Sequence, residues 1–252
     1  MRAVMLQLLW QRIHRPLVCA GVEVVFVIGV IALVALAAYF SWLAAKKRRE
    51  AMHALASELG WRFFPDRDSS HDDEYAHFEI FRRGHSRTAF NTMVGDLEID
   101  GRRFPAKAGD FRYKRTSGSG KNRRTTTYTF TYLILHLPFA TTPDLVIRRE
   151  GFFDKLAGAF GFDDIDFESE EFSRKFHVKS PDRRFAYDVV HPRMMELLLE
   201  ANPPLIDIEH GRCCLSNGSR RWNIEEFRDA ITFLREFFDR WPDHLTAQLD
   251  RS

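Results

Sequence analysis

From Val22 to Leu43 the chain runs VEVVFVIGVIALVALAAYFSWL, apolar around every helical face and carrying a single charge, Glu23, near its start. At about 1.5 Å per residue such a helix spans roughly 33 Å, enough for a hydrocarbon core of about 30 Å. Tyr39 and Trp42 stand where an interfacial aromatic belt belongs, and Lys46, Lys47, Arg48 and Arg49 follow at once. A core helix of a soluble domain is the poorer reading, because a rod apolar all round needs a large core. A cleaved signal peptide fails on the length of the run and on the four cations behind it. The pattern predicts a transmembrane helix over 22–45, an N-terminal tail over 1–21 and a juxtamembrane helix over 46–60, in which Met52, Leu55, Ala56 and Leu59 recur at helical spacing before Gly60. The tail mixes Val4, Leu8, Trp10 and Ile13 with Arg2, Arg12 and Arg15, which suits an interfacial helix or a signal-anchor region equally.

Beyond Trp61 the period changes to two. Trp61–Phe64 begins a strand that Pro65 stops, Asp66–Tyr75 is a polar loop, and Phe78–Leu137 has the texture of β structure. Thr88–Ile99 predicts a strand pair or one long strand, with Gly95 as a bulge or turn, and Asp100-Gly101 a hairpin turn with Arg102–Tyr113 as the return strand. Thr125–Leu137 (TTTYTFTYLILHL) is the clearest strand, with Tyr128, Phe130, Tyr132 and Ile134 on one face and its inner end apolar on both, which places it centrally in an antiparallel sheet. Leu145–Ile147 adds a short strand, Phe152–Phe160 a short helix, Phe172–Val178 a strand, and Asp182–Glu200 a helix kinked or broken at Pro192. Leu205–Glu209 and Cys213–Ser216 pair across His210-Gly211, and Asn223–Trp241 closes as an amphipathic helix with Ile224, Phe227, Ile231, Leu234 and Phe238 inward. Grouped strands with late helices predict an α+β soluble domain over 61–252, antiparallel in its sheet, with a seam near 148–151 its one internal division.

Composition changes this picture in one respect. Residues 1–49 hold seven of the 37 Lys and Arg residues but one of the 35 acids, so residues 50–252 keep 30 basic against 34 acidic residues and repel a phosphate backbone. Nucleic acid is therefore not an expected partner; the bilayer and an unidentified protein are. The flanking cations favour a cytoplasmic C-terminal domain, and the cysteine usage agrees, since Cys213 and Cys214 are adjacent and ill placed for a disulfide. Asn217-Gly218-Ser219 forms a sequon too short to carry weight.

Candidate chemistry is thin. Gly118-Ser-Gly120-Lys121 lacks the first glycine and the Ser/Thr of a phosphate loop, so it reads as a hairpin tip. Around it Arg112, Lys114, Arg115, Lys121, Arg123 and Arg124 form six cations with no acid between Phe111 and Thr127, a candidate contact for anionic lipid. His71, Asp72, Asp73 and His77 are weak metal candidates, with Glu74 beside them, because no helical HExxH or CxxC spacing fixes their geometry. His177, His191 and His210 stand singly, and the acids between Asp163 and Glu171 read as the solvated side of an extended segment. No cofactor is expected.

Phe78–His85, Asp164–Val178 and Asp182 with Phe185-Ala-Tyr187 resemble an uncharacterised family of bacterial single-span membrane proteins, over most of 46–245. The resemblance implies attachment to the bacterial inner (plasma) membrane and carries no activity or catalytic residue. The expected function is a non-enzymatic, membrane-anchored module that binds a protein or lipid; the alternative is a membrane-bound hydrolase or metal-dependent enzyme using His71–His77 or the acids at 163–171.

Overall fold

The structure, a computed structural model, describes residues 2–151 and 164–251, with side chains from Phe26 onward. Two compact units result, residues 1–50 and 51–252. Helix α1 (Arg2–Glu58) contributes residues to both. From Phe26 it is long and apolar enough to cross a membrane: its most apolar window has a mean hydropathy of 2.4 and no residue buried by protein. Phe26, Ile31, Leu33, Val34 and Phe40 are all more than half exposed, an arrangement that lipid tolerates and water does not. The predicted helix over 152–160 lies outside the described residues.

In the second unit the described strands form one antiparallel sheet in the order β1-β2-β3-β4-β8-β7-β5-β6. They are β1 (Arg62–Phe64), β2 (His85–Ile99), β3 (Arg102–Ser117), β4 (Arg124–His136), β5 (Leu145–Arg149), β6 (Phe176–Lys179), β7 (Leu205–Glu209) and β8 (Arg212–Ser216). The α+β reading holds, and β4 is central as its pattern required. Leu133 and Leu135 enter one core with Met52, Phe104, Ile147 and Ile206; Phe130, Tyr132 and Ile134 enter a second on the opposite face.

The first face is covered by α4 (Glu170–Lys175), α5 (Arg183–Val189), α6 (Pro192–Ala201), α7 (Ile224–Asp239) and α8 (Asp243–Leu249), which bring in Phe172, Phe185, Leu198, Phe237 and Leu245. The second is covered by two single-turn helices, α2 (His71–Glu74) and α3 (Glu79–Arg82), through Tyr75, Phe78 and Phe81. Cys213 and Cys214 are both free and buried, one in each core, as alternation along a strand dictates.

Two local expectations change, at Gly95 and at Phe172, while the break expected at Pro192 is present. Gly95 is regularly paired with Ala106; the irregularities in β2 fall earlier, between His85 and Thr88 and between Phe90 and Met93, where Ser86 and Asn91 take φ of 53° and 51°. Phe172 is helical, and the strand begins only at Phe176, because the Ser169 hydroxyl accepts from the Phe172 N–H and caps α4 with Glu170 and Glu171 in its first turn. The stretch 182–200 is two helices: Asp182 caps α5, and Pro192 opens α6 at a position where its missing N–H is harmless. Asn223 and Glu226 form a reciprocal capping box at the start of α7, and α8 follows Pro242 as an additional helix.

Candidate functional site

The six cations gather on the β3–β4 hairpin. Its tip turns through Gly120–Asn122, and Gly118 is required there: at φ 79° a Cβ would lie 2.4 Å from the Asn122 carbonyl oxygen. Arg112 pairs with Thr129, Lys114 with Thr127, Arg115 with Thr126 and Ser117 with Arg124. Alternation therefore puts Arg112 and Lys114 on one face with threonines, while Arg115 shares the other with the stacked pair Tyr113 and Tyr128. Arg115, Lys121, Arg123 and Arg124 are exposed; Arg112 and Lys114 are half-buried, Arg112 with its guanidinium 5.9 Å from the Phe90 ring centroid. Among the described residues no carboxylate forms an ion pair with any of the six.

The four metal candidates diverge. His71 is fully buried, its ring 4.5 Å from Tyr132, 4.7 Å from both Tyr75 and Phe81 and 5.6 Å from Phe111. Burial drives its pKa down to about 3, with the Lys107 ammonium adding to the effect. Asp72 accepts from Arg87 Nε at 2.7 Å, Asp73 is exposed, and His77 packs 4.3 Å from Phe78. Successive residues of a helical turn point in different directions, which separates these groups. Among the described residues, no three His, Cys, Asp or Glu side chains are placed to share an ion. The acidic stretch is also dispersed: Asp164 meets His177 at 3.1 Å and Lys179 at 3.5 Å, and Glu171 accepts from Lys175 at 2.8 Å. His191 is held structurally, 2.9 Å from the Arg240 carbonyl oxygen.

The pleat instead assembles a polar row that linear reading misses. On the second face His136 of β4 stands opposite Arg212 of β8, and Arg212 opposite Glu209 of β7. One row further, Ile134, Cys214, Asp207 and Val146 lie side by side. Asp207 is 1% exposed, and its Oδ1 has no hydrogen-bond partner. Burial first, then the neighbouring carboxylates of Glu209, Asp144 and Glu79, hold its pKa far above the usual carboxylate range. Glu209 is pushed up to about 7 by burial and by Asp144. Only cross-strand register unites these groups, and register is fixed by turns and core packing rather than by local sequence.

A separate cleft of about 530 Å³ opens between the end of α6, the β8–α7 connection and α7, lined by Arg149, Asn202, Pro203, Leu215, Trp222 and Phe233 among others. Arg220 on its rim is already engaged, donating twice to Glu226 at 2.6 and 2.9 Å.

No protein-family model matches the chain, and the curated proteins contain no match to it. Among solved structures it is similar to the crystal structure of the mycobacterial trehalose monomycolate transport factor A, TtfA, with 11% sequence identity and a TM-score of 0.48, over 77% of this chain and 96% of that one.

Proposed function

We propose that this chain is a non-enzymatic binding module, anchored in a bacterial plasma membrane by the apolar stretch 22–45 with residues 61–252 on the cytoplasmic side, and that its β3–β4 hairpin engages anionic lipid. One observation carries the reading: six cations gather on the β3–β4 hairpin without a carboxylate counter-ion among the described residues. Binding an anionic surface therefore breaks no existing ion pair, and each cation near such a surface contributes about 1 kcal/mol. The neighbouring threonines add hydrogen-bond donors without adding charge.

The test uses the full chain held in zwitterionic nanodiscs and offered to vesicles with or without phosphatidylglycerol, over a salt titration. The expected result is capture by the anionic vesicles alone, weakening as salt shortens the screening length toward about 3 Å near 1 M. Equal capture by neutral and anionic vesicles contradicts the proposal.

A further inference from the structure

We propose that His77, His136, His210 and Arg212 form a binding site for a small oxyanion of the phosphate class, distinct from the cationic hairpin. The four groups arrive from separate parts of the chain. His77 follows α2, His136 ends β4, Arg212 opens β8, and His210 occupies the β7–β8 turn at φ 52°. The His136–Arg212 register pair sets two of them side by side, and the His77 and His210 rings approach to 5.1 Å. Tyr75 forms the floor: its hydroxyl lies 3.4 Å from His136 Nε2, and its ring centroid is 5.7 Å from the Arg212 guanidinium and 5.0 Å from Lys107 Nζ.

The nature of the ligand follows from what these groups offer and lack. His77 Nε2 and Arg212 Nε are buried nitrogens with no protein hydrogen-bond partner. Neighbouring basic groups oppose charge on the imidazoles: burial first, then Arg212, His210 and His136, lowers the His77 pKa to about 4, and burial followed by Arg212 lowers that of His136. The acids around the cluster do not neutralise it. Glu74 favours charge on His136 but is tied to Lys107 at 2.7 Å, Asp68 faces the same lysine at 3.7 Å, and Glu209, opposite Arg212 in register, forms no ion pair among the described residues. A cation is repelled by this arrangement. An oxyanion answers it, because it accepts from imidazole and guanidinium donors at once and relieves their mutual repulsion. Binding is then linked to proton uptake: a bound anion favours the imidazolium forms, so affinity rises as pH falls.

The site and the hairpin occupy opposite ends of β4, whose 13 residues extend about 43 Å at roughly 3.3 Å each, so either can fail without the other. The ligand is a free phosphate compound or a lipid headgroup, which share the same dianionic or monoanionic oxygens.

The experiment titrates inorganic phosphate and then glycerol 3-phosphate into the full chain in zwitterionic nanodiscs by calorimetry, at about pH 7.5 and about pH 6. The account predicts saturable binding, tighter at the lower pH and weakened about tenfold or more by Arg212→Gln. His210→Asn is the second variant, since asparagine accepts the positive φ of the turn and keeps the fold while removing an imidazole. Retained affinity in both variants, or no saturable binding in the parent chain, overturns the proposal. With the hairpin cations reversed, capture on phosphatidic acid vesicles that free phosphate displaces identifies a headgroup; binding of soluble phosphate without such capture identifies a free ligand.

Discussion

Trp61 covers the backbone of Gly95. A Cβ at Gly95 would fall 2.2 Å from Trp61 Cδ1, and the indole Nε1 donates to the Asp96 carbonyl oxygen at 3.1 Å. The ring is 6% exposed and follows directly on the turn that ends α1, so this contact fixes where the helix end meets β2. Gly95 is in the sheet because an aromatic ring replaces its side chain. Gly95→Ala should destabilise the second unit by about 1–3 kcal/mol through overpacking. In a Trp61→Ala background the same substitution should cost much less, a coupling that chemical denaturation of the four variants would measure.

A buried polar chain organises the centre of the first face. Asn91 Nδ2 donates to Asp110 at 3.2 Å, the Thr131 hydroxyl donates to Asp110 at 2.9 Å, and Thr131 Oγ1 accepts from the Trp222 N–H at 3.0 Å. Thr131→Val keeps the shape but removes the hydroxyl that donates to Asp110 and accepts from the Trp222 N–H. The expected loss is about 2–3 kcal/mol in the denaturation free energy, against less than about 0.5 kcal/mol for the half-exposed Thr129→Val.

His71 predicts weakening in acid. Its folded pKa of about 3 lies below the unfolded value of about 6.5, so the unfolded chain takes up its proton first. The stability tied to neutral His71 is intact above about pH 6.5 and is lost as pH falls toward 3, by at most about 1.4 kcal/mol per unit. His71→Phe, in a pocket already walled by four aromatic rings, should lose less stability over that range than the parent chain. A parent and variant with parallel pH profiles would contradict the burial argument.

Asp207 acts in the opposite direction. Its pKa is raised on folding, so the folded chain holds the proton that the unfolded chain releases above about pH 4. Its contribution worsens as pH rises, and Glu209 adds to this up to about pH 7. Asp207→Asn should therefore gain stability relative to the parent as pH increases from about 4, and match it most closely in acid. A constant difference across pH would show that Asp207 ionises normally.

Elements with one dominant period were legible in the sequence, and those resting on register were not. The alternation of Tyr128, Phe130, Tyr132 and Ile134 against Leu133 and Leu135 identifies β4, its two buried faces and its central place before any coordinate is known. Pro192 correctly marks a break between helices. Phe172 misled because Phe172, Phe176 and Val178 fit a strand period, whereas the Ser169 cap decides for a helical turn. His71 sits in a run of acids yet turns into an aromatic core, since one helical turn suffices to point neighbours in opposite directions. The hairpin cations were visible as a run without acids. The His77, His136, His210 and Arg212 cluster was not, because its members come together through cross-strand pairing, one turn with positive φ and the connection between α2 and α3.

The most direct test reverses Arg115, Lys121, Arg123 and Arg124 to glutamate cumulatively in the full chain and measures partitioning from zwitterionic nanodiscs onto phosphatidylglycerol vesicles. These four are the exposed cations, so the fold should withstand their replacement. The account predicts a graded loss of at least about fivefold in affinity per reversal, the equivalent of about 1 kcal/mol. An affinity that does not change across the series would contradict it.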